Sequence, residues 1–204
     1  MNTQTHPAPQ AVKTLPPNYQ QRYNLDLKEN FRVALSLNLA VLFMFFVWGY
    51  FFIRIATILR PSAWLGEQGF HGEVDLVHVV VIFAIMVVFH EGIHGLFFWL
   101  FTKERPHFGF KLLYAYAAAP EWYIPRNQYI WIGLSPLVLV SILGVVLFPW
   151  ISIDWFPGLI LFLTINAAGS MGDAFIILVT LSHSKNVLIQ DFGDSFTIYG
   201  DPSD

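Results

Sequence analysis

Residues 76–101 read LVHVVVIFAIMVVFHEGIHGLFFWLF. A transmembrane helix needs about 20 mostly apolar residues. This stretch supplies them, interrupted only by His78, His90, Glu91 and His94. Three further stretches have the same character. Residues 33–53 are uncharged between Arg32 and Arg54, residues 129–150 follow, and residues 158–181 carry Asp173 as their only charge. Composition agrees: 55% of the 204 residues are apolar and 12% are charged, against about 25% charged in an average soluble domain. Mean hydropathy is +0.54. These values exclude a soluble globular domain, a disordered chain, collagen and a coiled coil. With no cysteine there is neither a disulfide framework nor a thiolate metal site. A net charge of −3 gives no general attraction to nucleic acid. The expected fold is an all-α membrane protein of four transmembrane helices (residues 31–184), with the lipid bilayer as its surroundings.

Lys and Arg set the orientation of such helices. Lys13, Arg22, Lys28 and Arg32 precede the first span, Lys103, Arg105, Lys111 and Arg126 lie between the second and third, and Lys185 follows the fourth. Only Arg54 and Arg60 fall on the other side. Both termini and the 103–128 loop are therefore expected in the cytoplasm. Residues 1–30 are polar, carry Pro7, Pro9, Pro16 and Pro17, and lack the apolar core of a signal peptide. They are expected to be a flexible arm until about Tyr23. Residues 185–204, with one Lys and four Asp, are expected to be an exposed acidic tail.

An ionisable side chain inside a span costs several kcal/mol unless it is paired or metal-bound. His90-Glu91-Gly92-Ile93-His94 is H-E-x-x-H on a helix. The i, i+4 spacing puts both imidazoles on one face, as two ligands of a tetrahedral zinc require. Glu91 is offset by about 100° and can serve as general base to a metal-bound water. Catalytic zinc keeps three protein ligands. His78 sits three turns away, and His107 and Glu121 lie in the loop. Asp173 remains. His90 is roughly 21 Å and Asp173 roughly 22 Å from the outer start of their spans, at 1.5 Å per residue, so both share one level. Asn166, Ser170 and Asp173 form one polar stripe at i, i+4, i+7. Gly92, Gly95, Gly169 and Gly172 flank these positions, where small residues would let helices approach closely. His71 and His183, near span ends, are expected to be bystanders.

FHEGIHGLFF and, on the later span, NAAGSMGDAF resemble the small zincin peptidases related to the site-2 intramembrane metalloproteases. The resemblance covers about residues 75–195. It implies that His90, His94 and Asp173 bind zinc and that Glu91 is the catalytic base. Asn166 would match the catalytic motif's Asn. The chain has AAGSMG before Asp173 and Ala174 after it, where site-2 proteases usually have a proline-rich stretch leading to Asp-Gly.

The loop segment HFGFKLLYAY at 107–116 alternates in part and is bracketed by turn-like segments, so a short β-hairpin is expected between the second and third helices. Its exposed edge could take an extended substrate by strand addition. The alternative is an interfacial aromatic belt of Phe108, Phe110, Tyr114, Tyr116, Trp122 and Tyr123. Arg126 could pair with Glu121 or with lipid phosphate. The leading expectation is an intramembrane zinc metallopeptidase acting on membrane-associated polypeptides. The competing readings are a zinc hydrolase of lipid amides or esters and an inactive zinc-binding adaptor. A transporter is disfavoured, because four spans without a repeat offer no alternating pair.

Overall fold

The computed structural model describes residues 10–61, 74–111 and 114–203. Pro7, Pro9 and His71 lie outside the described residues. The elements run β1 (Gln20–Asp26), α1 (Phe31–Leu59), α2 (Leu76–Thr102), β2 (His107–Lys111), β3 (Tyr114–Ala118), β4 (Ile124–Pro125), α3 (Arg126–Leu147), α4 (Phe156–Gly169), α5 (Met171–Leu181), β5 (Leu188–Asp191) and β6 (Ser195–Gly200). A 3-10 turn at Ile153–Trp155 leads into α4. Among the described residues, four segments are long and apolar enough to cross a membrane: α1, α2, α3 and the run Ile153–Leu181.

Local chemistry sets the boundaries. The Asp75 carboxylate accepts the His78 backbone N–H at 2.8 Å and caps the start of α2. Lys103, left-handed at φ 59°, ends it. The last apolar run breaks at Ser170 (φ −65°, ψ 2°). There the sequence Ala-Ala-Gly-Ser-Met-Gly is rich in glycine, and the Ser170 hydroxyl bonds back to the Asn166 carbonyl at 2.9 Å. The expected single helix over 158–181 is therefore two. The second begins just before Asp173 and places that carboxylate in its first turn, at the positive end of the helix dipole.

The fold is helix-rich but not all-α. The expected hairpin forms, with Phe108 opposite Ala117 and Gly109 opposite Tyr116. A second sheet, antiparallel in the order β1-β6-β5-β4, comes from the two ends of the chain. Residues 20–26, expected within a flexible arm, pair with β6, Leu25 lying opposite Phe196. Val12 bridges to Tyr123 through two backbone hydrogen bonds of 3.0 and 2.8 Å. The tail expected to be exposed supplies β5 and β6. Its apolar residues explain this: Leu188, Ile189, Phe196 and Ile198 are buried, while Asp194 and Asp201 fall outside the strands. Leu25, Ile124, Ile189 and Ile198 share one core with Phe98 of α2 and Tyr129 and Ile132 of α3, so the sheet is seated on one end of the helices. A second core, with Phe52 and Ala56 of α1, Val140 of α3 and Leu163 of α4, fills the other end.

The glycines work differently from expectation. Side-chain atoms added at Gly92, Gly169 or Gly172 would meet open space. Close approaches between elements occur instead at Gly95, which receives Phe108 of the hairpin and the preceding Pro106, at Gly144, which receives Leu163 of α4, and at Gly133, where a Cβ would stand 2.8 Å from Ile177 of α5. Gly133 thus brings α5, and Asp173 with it, against α3.

Candidate metal centre

His90 and His94 lie one turn apart on α2 and are buried; Asp173 reaches them from α5. The Nε2 of His90 is 3.3 Å from Asp173 Oδ2, and that of His94 is 3.4 Å from Oδ1. The two Nε2 atoms are 3.2 Å apart. A tetrahedral ion with bonds of about 2.0–2.1 Å needs ligand atoms separated by about 3.3–3.4 Å. The two Nε2 atoms stand near that spacing, and the Asp173 carboxylate turns one oxygen to each imidazole; taking one atom per residue, the three candidate ligand atoms lie within 4.8 Å of one another.

Their partners fix the tautomers. The Nδ1–H of His94 donates to the Ile132 carbonyl at 2.8 Å. That carbonyl is available because Pro136, inside α3, has no N–H to close the i→i−4 bond. The Ser135 hydroxyl takes its remaining capacity at 2.8 Å. On the other side, Asn166 donates through Nδ2 to the Pro136 carbonyl at 3.2 Å, so its Oδ1 faces His90 Nδ1 at 3.1 Å and accepts from it. Both imidazoles therefore direct a bare Nε2 lone pair at one point, beside a carboxylate. Three acceptors facing one another without a donor are repulsive, and a cation resolves them. The donor set of two imidazoles and one carboxylate suits zinc.

A cavity of about 110 Å³ opens at this point, lined among others by Glu91, His94, Ala117, Tyr129, Asp173 and Asp191. Glu91 is half-buried, and the backbone N–H of Ala117 on β3 bonds to its carboxylate. Glu91, Ala115 and Tyr116 also border a wider apolar groove of about 550 Å³ between α2 and the hairpin, walled by Val87, Val88 and Phe108. Opposite the groove, the Tyr129 hydroxyl donates to Asp191 Oδ2 at 2.6 Å. Asp191 Oδ1 accepts the Gly193 N–H at 2.7 Å in a turn where Gly193 takes φ +89°. Burial pushes the Asp191 carboxyl up to about 6, against the pull of the Tyr129 and Gly193 donors.

The other sequence candidates lie elsewhere. His78 pairs with Asp75 at the far end of α2. His107 is exposed on β2, and Glu121 faces Lys13 at 3.9 Å. Arg126 does not pair with Glu121; it donates to the His183 carbonyl at 3.2 Å. His183 itself packs on Tyr23. Ser170 is buried at the helix break, next to Asn166 and away from the ligand atoms' contacts. Tyr129, Ile132 and Asp191 were not sequence candidates. A proline inside an apolar helix was the available signal for the Ile132 carbonyl.

Fold and site together define a helix-rich, strongly apolar protein with an internal cluster of two histidines and an aspartate that could hold a metal ion. The profile of a family described as "putative zincin peptidase" matches residues 83–188, slightly more than half of the chain. The chain belongs to that family, which points to a zinc metallopeptidase. The matched segment contains His90, Glu91, His94, Asn166 and Asp173, and ends three residues before Asp191. No curated protein and no solved structure matches the chain.

Proposed function

We propose that the protein is an intramembrane zinc metallopeptidase of the site-2 type, hydrolysing peptide bonds of membrane-associated polypeptides. The observation that carries this reading is the cluster of His90, His94 and Asp173, whose candidate ligand atoms lie within 4.8 Å of one another beside the cavity that Glu91 lines. A structural zinc site would fill its fourth position and needs no neighbouring base. This counts against the adaptor.

Zinc held by the three residues would act as a Lewis acid, lowering the pKa of water to about 7 and polarising the scissile carbonyl. Glu91 takes the proton of the attacking water and returns it to the leaving nitrogen. Asn166 and the Ile132 carbonyl are positioning groups: each holds one imidazole by its Nδ1–H.

A helical peptide bond is shielded from attack, so the substrate must be extended. Along an antiparallel strand, a residue's N–H and C=O share one side, and alternate residues share it too. With the Ala117 N–H turned to Glu91, Ala115 and Ala117 of β3 offer their free edge to the cavity. A substrate strand pairing there lies beside the base. The apolar groove would accept an acyl chain as well as a side chain. A strand edge is of no use to a lipid, and this favours the polypeptide.

The membrane supports the same reading. Only 11% of the most apolar window of α1, and of α2, is buried within the chain. Phe43, Phe46, Tyr50, Val77 and Val88 are among the large apolar side chains left facing outward, a surface suited to lipid. The Lys and Arg distribution favours a cytoplasmic side for both termini, the hairpin and the sheet.

The test is metal content by mass spectrometry on detergent-purified wild type, His94→Ala and Asp173→Ala, with peptide cleavage by wild type beside Glu91→Gln. About one zinc per chain, lost in both ligand variants, with cleavage abolished in Glu91→Gln, is expected. Folded wild type that takes up no zinc, or cleavage that survives Glu91→Gln, would sink the reading.

A further inference from the structure

We propose that Tyr129 and Asp191 form the binding site for the amine released from the scissile bond; this rests on the peptidase reading above. The pair stands on the wall of the same cavity of about 110 Å³ that Glu91, His94 and Asp173 line. That volume holds only a few water-sized groups, so a molecule reacting at Glu91 meets this wall. Tyr129 is buried on α3, one turn from the carbonyl that holds His94 and one turn from Gly133. Asp191 comes from the β5 end of the cytoplasmic sheet.

The hydrogen-bond inventory shows what the wall can recognise. Tyr129 lines the cavity, and the one proton of its hydroxyl is committed to Asp191 at 2.6 Å, so towards any further group the phenolic oxygen can only accept. The Asp191 carboxylate accepts from Tyr129 and Gly193 and keeps lone pairs in reserve. Among the described residues no Lys or Arg lines the cavity, whereas three carboxylates do: Glu91, Asp173 and Asp191. One divalent cation balances two of them. A wall of acceptors with negative charge left over recognises a donor bearing positive charge.

Peptide hydrolysis makes such a group. Water adds its oxygen to the carbonyl carbon, the C–N bond breaks, and the proton collected by Glu91 passes to nitrogen. The nitrogen leaves as an amine and takes a further proton from solvent to become ammonium. Tyr129 Oη and Asp191 accept its N–H bonds as they form. The acid fragment carries no comparable donor and gains nothing from this wall. Asp191 thereby ties the chain's terminal sheet to the reaction.

The experiment uses the full-length, zinc-loaded protein with Asp191→Asn and Tyr129→Phe. A library of synthetic peptides in micelles, read by mass spectrometry, identifies a cleaved peptide. Its two fragments are then synthesised and tested separately as inhibitors. Zinc content should match wild type in both variants. Asp191→Asn should weaken inhibition by the amine fragment about tenfold to a hundredfold, the range of a hydrogen bond to a charged group. Inhibition by the acid fragment should move less than about twofold. Tyr129→Phe should shift the amine fragment in the same direction. N-acetylating that fragment should erase the difference between wild type and Asp191→Asn. Equal weakening of both fragments, no weakening of either, or zinc loss in both variants would make the pair structural and overturn the proposal. Wild type that cleaves no library peptide would overturn the peptidase reading and this one with it. Cleavage with unchanged fragment affinities would overturn this one alone.

Discussion

Replacing Pro136 by alanine should make the zinc-free protein more stable and the zinc site weaker. A proline in a helix interior costs about 3 kcal/mol relative to alanine, through the missing N–H and the ring's clash with the preceding turn. Pro136→Ala restores the N–H, which then seeks the carbonyl four residues earlier, that of Ile132. This carbonyl already serves two donors, the His94 Nδ1–H and the Ser135 hydroxyl, both at 2.8 Å. An oxygen with two lone pairs cannot hold three donors well. The helix N–H is held in place by the backbone, so the imidazole gives way. Loss of an outer-shell partner typically lowers metal affinity 10- to 100-fold, which is about 1.4–2.7 kcal/mol. The helix should gain up to about 3 kcal/mol. The assay pairs thermal unfolding of the zinc-free protein in detergent with zinc titration against a chelating competitor. General damage to the fold would lower both quantities together. Opposite signs are the signature of a proline retained to free a carbonyl. Unchanged zinc affinity in a folded variant, or a parallel fall in both, would refute the reasoning.

Asn166→Ala should cost 10- to 100-fold in zinc affinity by freeing the His90 ring. Asn166→Asp should recover part of that loss, because an acceptor again faces Nδ1; chelator competition measures both. Gly133→Val should wedge α3 from α5, since its Cβ would stand 2.8 Å from Ile177 and 3.9 Å from the Asp173 Cβ. Overpacking costs about 1–3 kcal/mol, and zinc content should fall together with thermal stability. Ile198→Ala should destabilise by about 2–5 kcal/mol, as for a fully buried side chain. A change within about 0.5 kcal/mol, as at an exposed site, would contradict the seating of the terminal sheet on the helices.

The apolar helices and the shared face of His90 and His94 were legible because each rests on a local signal. Long, strongly apolar runs announce α1 to α3, and i, i+4 imidazoles announce a shared face whatever surrounds them. Asp173 could be matched to the histidines by depth, since rise per residue is a constant of the helix and two spans that both run inward from the outer side share one ruler. The break at Ser170 was hidden: the glycines on either side suggested tight packing, whereas a side chain at Gly169 or Gly172 would meet open space. Their weak helix propensity ends α4 instead. The hairpin at 107–118 was visible through its bracketing turns.

The sheet built from the chain ends was missed because net charge outweighed alternation. Four aspartates among the last twenty residues suggested an exposed tail, yet charge says where a segment is wet, not whether it is folded. Leu188, Ile189, Phe196 and Ile198 alone are too few to form a core, and sequence does not show that Leu25, Phe98 and Ile132 lie ready to receive them. Burial there is decided by contacts across most of the chain's length, which no local window contains. The same physics places Asp191. In the sequence it is one acidic residue of a polar turn. It acquires a partner only when β5, brought in by its apolar neighbours, sets it 2.6 Å from Tyr129. The two histidines of this site could be read because one helix holds them in one local geometry. The opposite wall could not, because it comes from a strand placed by long-range packing.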